Sequence, residues 1–147
     1  MPVTVRPADP GDRELLRQLL FDYLLEFDGR TEPYPYFDAY WSEPERLPFL
    51  IDVDGEVAGL CLVRVRDDGW SIAEFYVTRD RRRGGVGRAA VEAVAALASR
   101  GDAAYLEAKV HPDNQGALPF WLSVGFEVVA SPGVVVTRRR LRAREAV

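Results

Sequence analysis

Residues 79–88 are the part of the chain whose residue types and spacing fit phosphate binding. They read RDRRRGGVGR and follow an apolar, β-branched run that ends at Thr78. Gly84, Gly85 and Gly87 remove side chains where the backbone must bend and where a ligand must approach closely. The helix that follows would present free N–H groups and the positive end of its dipole, and the arginines add donors suited to phosphate oxygens. The segment therefore predicts a pyrophosphate cradle.

Two other phosphate-binding motifs fit this glycine-rich segment poorly. A P-loop requires Gly-Lys followed by Ser or Thr, and the segment contains no lysine. A Rossmann fingerprint has the spacing G-x-G-x-x-G at the first strand of its domain, whereas this segment follows several predicted strands. A glycine-rich connector with solvated arginines is the structural alternative, and glycine spacing alone does not exclude it.

The same residues resemble the GNAT superfamily of N-acetyltransferases. Arg82-Arg83-Gly84-Gly85-Val86-Gly87 matches its acyl-CoA signature, (Gln/Arg)-x-x-Gly-x-(Gly/Ala). The preceding Glu74-Phe75-Tyr76-Val77 is similar to the fourth strand of that family, and residues 114–126 are similar to its second signature. The two segments have the usual separation, with the predicted strand 103–110 between them. Residues 33–41 further resemble a branch of bacterial acetyltransferases.

The resemblance implies a reaction and a set of binding residues. The reaction would be acetyl transfer from acetyl-CoA, as co-substrate, to a primary amine by direct attack. Backbone N–H groups from Arg83 to Arg88 would hold the pyrophosphate, and the N–H of Val77 would polarise the thioester carbonyl. The residues that the resemblance assigns to acetyl-CoA are Tyr76, Val77, Arg82, Arg83, Gly84, Gly85, Val86, Gly87, Arg88, Asn114, Phe120 and Trp121.

Glu74 is the candidate general base, because it is the only carboxylate on the strand that would face the thioester. Side-chain alternation argues against it, since bases in this family often lie at even offsets before the position of Val77, and Glu74 lies three residues before. A bulge in the strand would change its direction. An exposed or salt-bridged strand residue is the structural alternative, and Ser71 and Tyr76 are further candidates for relaying the proton.

Trp121 is the clearest departure from the family pattern, because many members have a tyrosine there that acts as general acid. An indole N–H does not donate a proton near neutral pH, so Trp121 is expected to pack around the acyl group or the CoA sulfur. The thiolate would then leave unprotonated or take a proton from water. This departure supports an alternative function, a non-catalytic acyl-CoA-binding or sensor module. His111, the only histidine, precedes a proline and is interpreted as a turn residue.

An acidic and aromatic segment is the candidate acceptor site. Residues 26–45 contain six acidic side chains and one basic side chain, Arg30. Acidic and aromatic groups attract a cationic amine through charge and cation–π interactions, which predicts a small polyamine-like, aminoglycoside-like or N-terminal amine. In the alternative interpretation, the aromatic side chains anchor the loop to the core and the acids face solvent. The candidate substrate-binding residues are Tyr34, Tyr36, Asp38, Tyr40 and Trp41.

Hydrophobic periodicity and turn residues predict the elements that position these groups. The predicted strands are residues 3–6, 49–53, 56–65, 70–78, 103–110, 126–130 and 134–141. The first predicted helix ends near Glu26, and the other two cover residues 86–99 and 114–124. Residues 28–48, which include four prolines, are expected to form an ordered loop with a helical turn near residues 36–41. Ser131-Pro132-Gly133 marks the last hairpin.

The predicted fold class is α/β, with a mixed, mostly antiparallel central sheet of about six to seven strands and helices on both faces. Strands 70–78 and 103–110 flank a helix and should therefore be parallel in a right-handed crossover. The resemblance implies that these two strands splay apart, so that pantetheine inserts between them.

Composition restricts the class of protein. The chain has 147 residues, 48% of them hydrophobic, and a net charge of -4, which indicates one domain over residues 1–147 and no nucleic-acid coat. The lone Cys61 excludes an internal disulfide and a cysteine-based zinc cluster, and no metal site is expected. No signal peptide and no membrane span are recognised, so a cytoplasmic location is predicted. Many GNAT proteins are dimers, although no residue here identifies a homodimer interface.

Ten of the 19 basic residues lie in two blocks, residues 79–88 and 138–144. The second block falls on the last predicted strand. We interpret it as an edge strand whose charged side chains discourage edge pairing, in preference to a tail that binds nucleic acid.

Overall fold

The computed structural model describes residues 2–131 and 133–141. Within these residues the strands are β1 (Val3–Pro7), β2 (Arg46–Val53), β3 (Glu56–Val65), β4 (Gly69–Val77), β5 (Tyr105–Val110), β6 (Glu127–Ala130) and β7 (Val135–Arg140). The α-helices in the same residues are α1 (Arg13–Asp28), α2 (Val86–Arg100) and α3 (Leu118–Ser123). The described strands form one seven-stranded sheet in the order β1-β2-β3-β4-β5-β7-β6. The pair β4–β5 is parallel and the other neighbours are antiparallel, so the predicted mixed α/β fold is confirmed.

Helices cover both faces of the sheet, each because of a regularly spaced apolar stripe. In α1, Leu16 and Leu20 are buried one turn apart and pack against the β3 residue Leu62. In α2, Val91 and Val94 pack against the opposite face of the sheet. None of the helices in residues 2–131 and 133–141 combines the length and the hydropathy that a membrane crossing requires.

The parallel strands β4 and β5 stay paired over only part of their length. Their register runs from Gly69 opposite Tyr105 to Ile72 opposite Ala108 and then stops, although β4 continues to Val77. The last part of β4 therefore pairs with β3 alone, and its other edge faces a gap. The splay expected between these two strands is confirmed.

The strand β2 begins earlier than predicted and includes Pro48, which the sequence placed in the loop. The carbonyl of Pro48 accepts a hydrogen bond from the N–H of Ala8 (2.9 Å). The nitrogen of Pro48 points to the same side, beyond Pro7, the last residue of β1 to pair with β2. Proline has no N–H to donate, and this is tolerated at Pro48 because the β1–β2 ladder has already ended and requires no hydrogen bond from its nitrogen.

The interpretation of the last strand as a sheet edge is wrong. β7 lies between β5 and β6, because β6 pairs with its outer side through the final hairpin. Two of its arginines have partners on neighbouring elements. Arg138 lies 3.7 Å from Glu107 on β5, and Arg139 donates to both carboxylate oxygens of Glu92 on α2 (2.8 and 2.9 Å). Arg142, Arg144 and the turn residue Pro132 lie outside the described residues.

The helix predicted over residues 114–124 is shorter in the structure. A 3-10 segment, Pro112–Ala117, comes first, and α3 follows it. Asn114 has φ −125° and ψ 41°, which is not helical. In the aromatic loop, the 3-10 turn Asp38–Trp41 lies within the turn predicted over residues 36–41.

Candidate active site

A cavity of about 760 Å³ opens where β4 and β5 diverge. This volume lies in the range of small-molecule and cofactor sites. Gly84 and Val86 do not line it, and the side chain of Val86 is instead buried in the core. The residues expected to contact acetyl-CoA that do line it are Tyr76, Val77, Arg82, Arg83, Gly85, Gly87, Arg88, Asn114, Phe120 and Trp121.

The glycine-rich loop brings the start of α2 to this cavity. Gly85 precedes the helix with a φ of +81°, and no side chain caps the first turn. The first N–H groups of a helix have no partner within it, so this end of α2 can bind an anion. A Cβ at Gly87 would lie 3.1 Å from the ring of Phe120, so the absence of a side chain lets α2 lie against α3. The glycines of the loop therefore bring the uncapped first turn of α2 to the cavity, and the pyrophosphate cradle stays a prediction.

Two of the arginines expected around the phosphate have protein partners. Arg82 donates from Nε to the carbonyl oxygen of Val77 (2.8 Å) and from Nη1 to Glu26 (2.6 Å). Arg88 donates to the carbonyl oxygen of Ser123 at the end of α3 (3.0 Å). Both side chains thus hold the walls of the cavity together.

The backbone at the end of β4 has one side open to the gap. The N–H of Thr78 donates to Ala58 on β3 (2.8 Å), and a Cβ at Gly59 would overlap the carbonyl oxygen of Tyr76. Tyr76 and Thr78 therefore point their backbone groups towards β3. Because successive residues of a strand alternate in direction, the N–H and the carbonyl of Val77 point the other way, into the gap.

Glu74 lies in a pocket of tyrosines on the α1 face of the sheet. It accepts hydrogen bonds from the hydroxyls of Tyr23 (3.0 Å) and Tyr34 (3.3 Å). Burial raises the pKa of the Glu74 carboxyl, although both hydroxyls favour its ionised form. Burial and the nearby Glu74 charge raise the pKa of each tyrosine, so both hydroxyls remain protonated donors at neutral pH.

A β-bulge determines the face to which Glu74 points. Ile72 lies opposite Val63 and Glu74 lies opposite Leu62, so Ala73 is an extra residue in β4. Ile72 consequently packs on the α2 face, while Glu74 reaches the tyrosines of the α1 face. No residue pattern in the sequence marks this bulge. It precedes Glu74, so Glu74 and Val77 still point to opposite faces of the strand.

The wall of the cavity on the α1 side was not identified from the sequence. It contains Tyr23, Glu26 and Phe27 from the last turns of α1. The rings of Tyr23 and Phe27 stack with centroids 5.8 Å apart, and Tyr23 also lies 5.3 Å from Tyr76. The available signal was the (i, i+4) aromatic pair at the end of the helix, which the periodicity of α1 assigned to the core.

Most of the predicted acceptor residues lie away from this cavity. Tyr40 is buried on the α1 face, Asp38 pairs with Arg13 (2.6 Å), and Tyr36 is exposed. Among the five candidates in the loop, Tyr34 reaches a cavity residue through its hydrogen bond to Glu74. None of the five candidates, Tyr34, Tyr36, Asp38, Tyr40 and Trp41, lines the cavity itself.

Trp121 is buried in an aromatic cluster beneath the cavity. Its ring contacts Phe75, Phe120 and Phe126 with centroids 5.0 to 5.4 Å apart. It thus has the packed environment expected of a side chain that shapes the wall. His111 is exposed at the end of β5. Among the described residues, no group of three or more histidine, cysteine, aspartate or glutamate side chains could hold a metal ion.

Comparison with known proteins gives one family match. The sequence model described as the acetyltransferase (GNAT) family matches residues 13–126, which include α1, the β4–α2 loop and α3. No curated protein sequence matches the chain.

Solved structures with the same fold are numerous and distant in sequence. An acetyltransferase from Thermus thermophilus has a TM-score of 0.80 at 21% identity, over 96% of this chain and 98% of that one. The PaiA N-acetyltransferase of Thermoplasma acidophilum, in complex with coenzyme A, has a TM-score of 0.75 at 12% identity, over 95% and 99%. An aminoglycoside acetyltransferase in complex with coenzyme A has a TM-score of 0.76 at 18% identity, over 95% of both chains.

Proposed function

The chain belongs to the acetyltransferase (GNAT) family, and on that premise we propose that it transfers the acetyl group of acetyl-CoA to a primary amine of a small, cationic acceptor. One observation carries the proposal. The start of α2, which can bind a phosphate, and the side chains of Glu74 and Tyr23, which can bind an amine, line the same cavity. The gap between β4 and β5 connects these two regions.

The residues present fit acetyl-CoA, which when bound supplies an activated thioester. The N–H groups at the start of α2 would hold the pyrophosphate. Asn114, which also lines the cavity, would bind the pantetheine arm. The N–H of Val77 faces the gap and would donate to the thioester carbonyl oxygen, where negative charge increases as the amine attacks.

Glu74 would remove the proton that an amine carries at neutral pH. Its raised pKa makes it a stronger base than an ordinary glutamate. In the balanced reaction, the nitrogen that has lost this first proton to Glu74 bonds to the acetyl carbon, and the carbon–sulfur bond breaks. The nitrogen then releases its second proton to water, the thiolate takes a proton from water, and Glu74 returns its proton to the solvent. Trp121 does not act as the acid, because an indole N–H does not ionise in this range.

The acceptor class follows from the charge and the rings of the α1 wall. Glu74 supplies a negative charge, while Tyr23, Phe27 and Tyr76 supply aromatic faces. Such a wall attracts a protonated amine more strongly than a neutral one. We therefore place the acceptor beside α1, with Tyr34 acting on it through Glu74. Tyr36, Asp38, Tyr40 and Trp41 are left outside the proposed site.

The chain is further proposed to act as one acetyltransferase domain in the cytoplasm. Support for the domain is the family match over residues 13–126. Support for the location is Cys61, a free and buried thiol, as is usual in a reducing compartment.

Calorimetric titration of the purified protein with acetyl-CoA tests the proposed site. The expected dissociation constant lies roughly between 1 μM and 1 mM, and binding should weaken when pantetheine, which lacks the pyrophosphate, replaces acetyl-CoA. Absence of binding at millimolar acetyl-CoA would contradict the proposal. A parallel titration with duplex DNA tests the basic blocks, and a steep salt dependence of binding there would favour a nucleic-acid partner.

A further inference from the structure

A closed ring of hydrogen bonds joins the end of α1 to the end of β4. Glu26 accepts from Arg82 through Oε1 (2.6 Å) and from the hydroxyl of Tyr76 through Oε2 (3.1 Å). Arg82 in turn donates from Nε to the carbonyl oxygen of Val77 (2.8 Å). Arg79 adds a longer contact to Glu26 (3.5 Å). The ring thus begins and ends on two successive residues of β4, Tyr76 and Val77.

This ring lies where β4 has lost its strand neighbour. Pairing with β5 stops at Ile72, so no ladder hydrogen bond holds the gap side of Val77. The guanidinium of Arg82 supplies the missing donor to the Val77 carbonyl. Its second contact, to Glu26, limits how far this donor can turn.

Glu26 and Glu74 both line the cavity, but the pKa values of their carboxyl groups are shifted in opposite directions. The hydrogen bond from Arg82 lowers the pKa of Glu26, whereas burial raises that of Glu74. Both oxygens of Glu26 already accept hydrogen bonds from the chain. A carboxylate that is ionised and occupied in this way is suited to holding a cation of the protein and poorly suited to taking a proton from an acceptor.

We propose that Glu26 is a positioning residue of the acetyl transfer: it holds Arg82 against the carbonyl of Val77 and so orients the backbone segment whose N–H faces the thioester. The inference rests on the proposed function, in which the N–H of Val77 donates to that carbonyl. In this arrangement, Glu26 on the acceptor side of the cavity also helps to orient the N–H of Val77 towards the thioester. Arg82 thus links the end of β4 to α1 through its hydrogen bonds to the carbonyl of Val77 and to Glu26.

The test compares Glu26→Gln with Glu56→Gln. Glu56 pairs with Arg81 (2.7 Å), the neighbour of Arg82, and does not line the cavity. Loss of the hydrogen bonds that join Glu26, Arg82 and Val77 should lower kcat roughly tenfold or more, because a small misplacement of the Val77 N–H is costly in the transition state. KM for acetyl-CoA should change little. The variant Arg82→Lys cannot make both contacts and should have the same defect, and the double variant should be no worse than either. Glu56→Gln should behave as the wild type.

A spectroscopic measurement separates positioning from a general loss of structure. Isotope-edited infrared spectra of bound acetyl-CoA, labelled with carbon-13 at the thioester carbonyl, report the hydrogen bond to that oxygen. The wild type and Glu56→Gln should show the band shifted to lower frequency than in solution, and Glu26→Gln should show a smaller shift. Absence of a shift in the wild type would contradict the Val77 assignment. A full shift with unchanged kcat in Glu26→Gln, or a raised KM for the amine alone, would overturn the positioning role.

Discussion

Replacing Glu74 by glutamine is expected to lower kcat/KM for amine acetylation roughly a hundredfold or more, which is the usual contribution of a general base. Glutamine keeps the size of the side chain and can still contact the hydroxyls of Tyr23 and Tyr34, but it cannot accept the proton of the amine. The measurement is the initial rate of thiol release at saturating acetyl-CoA. Glu107→Gln is the matched control, because Glu107 is also a buried strand carboxylate and does not line the cavity.

The pH dependence gives a second measure of Glu74. In the wild type, kcat/KM should decline as pH falls through the raised pKa of Glu74, because only the ionised form accepts a proton, and this decline should be absent in Glu74→Gln. The contribution of Glu74 to folding stability changes with pH in the opposite direction to kcat/KM. A carboxyl whose pKa is raised by folding stabilises the folded state below its unfolded pKa, and this contribution is lost as pH rises through the folded pKa. At neutral pH the glutamine variant should therefore unfold at a temperature no lower than the wild type. Unchanged turnover in the variant would remove Glu74 as the base.

Replacing Gly85 by valine should weaken acetyl-CoA binding about tenfold or more. The φ of +81° at Gly85 is unfavourable for a β-branched residue, so the loop must change its conformation. The N–H groups at the start of α2 would then point away from the pyrophosphate, and hydrogen bonds to a charged group contribute about 1.5–3 kcal/mol each. The measurement is the dissociation constant of acetyl-CoA by calorimetry.

Gly55→Val is the matched control for this effect. Gly55 has a φ of +82° in the β2–β3 hairpin, and a Cβ at either glycine would meet no atom within 4 Å. Both variants therefore carry a similar backbone strain of about 1–2 kcal/mol and should show similar losses of melting temperature. Only Gly85→Val should lose affinity. Equal affinities in the two variants would place the pyrophosphate elsewhere.

The parts of the fold that sequence analysis predicted are those set by local chemistry. Gly29 ends α1 where the periodicity stops, and Asp54-Gly55 forms the β2–β3 turn. The glycine-rich loop was recognisable because its glycines and the following helix are consecutive in the chain. The parallel pairing of β4 with β5 followed from the strand–helix–strand order along the chain, because a helical connection usually joins parallel strands.

The missed features depend on contacts between residues far apart in the chain. Glu26 and Arg82 are separated by 56 positions, and neither residue type indicates the other. The bulge at Ala73 is defined by the register of β4 against β3, which the composition of one strand does not encode. The aromatic loop is predicted as the acceptor site because buried anchors such as Tyr40 have the same residue types as a cation-binding wall, and the structure places these residues away from the cavity lining.

Amine acetylation in the β4–β5 gap can be measured as thiol release from acetyl-CoA across a panel of amines. The panel should contain polyamines, aminoglycosides, peptides with free N-termini, and neutral alcohols of similar size. We expect that at least one cationic primary amine accelerates thiol release by the wild type above the rate of hydrolysis, that the alcohols do not, and that Glu74→Gln loses the acceleration. Binding of acetyl-CoA without acceleration by any amine in the panel would contradict amine acetylation and favour a module that binds acyl-CoA without turnover.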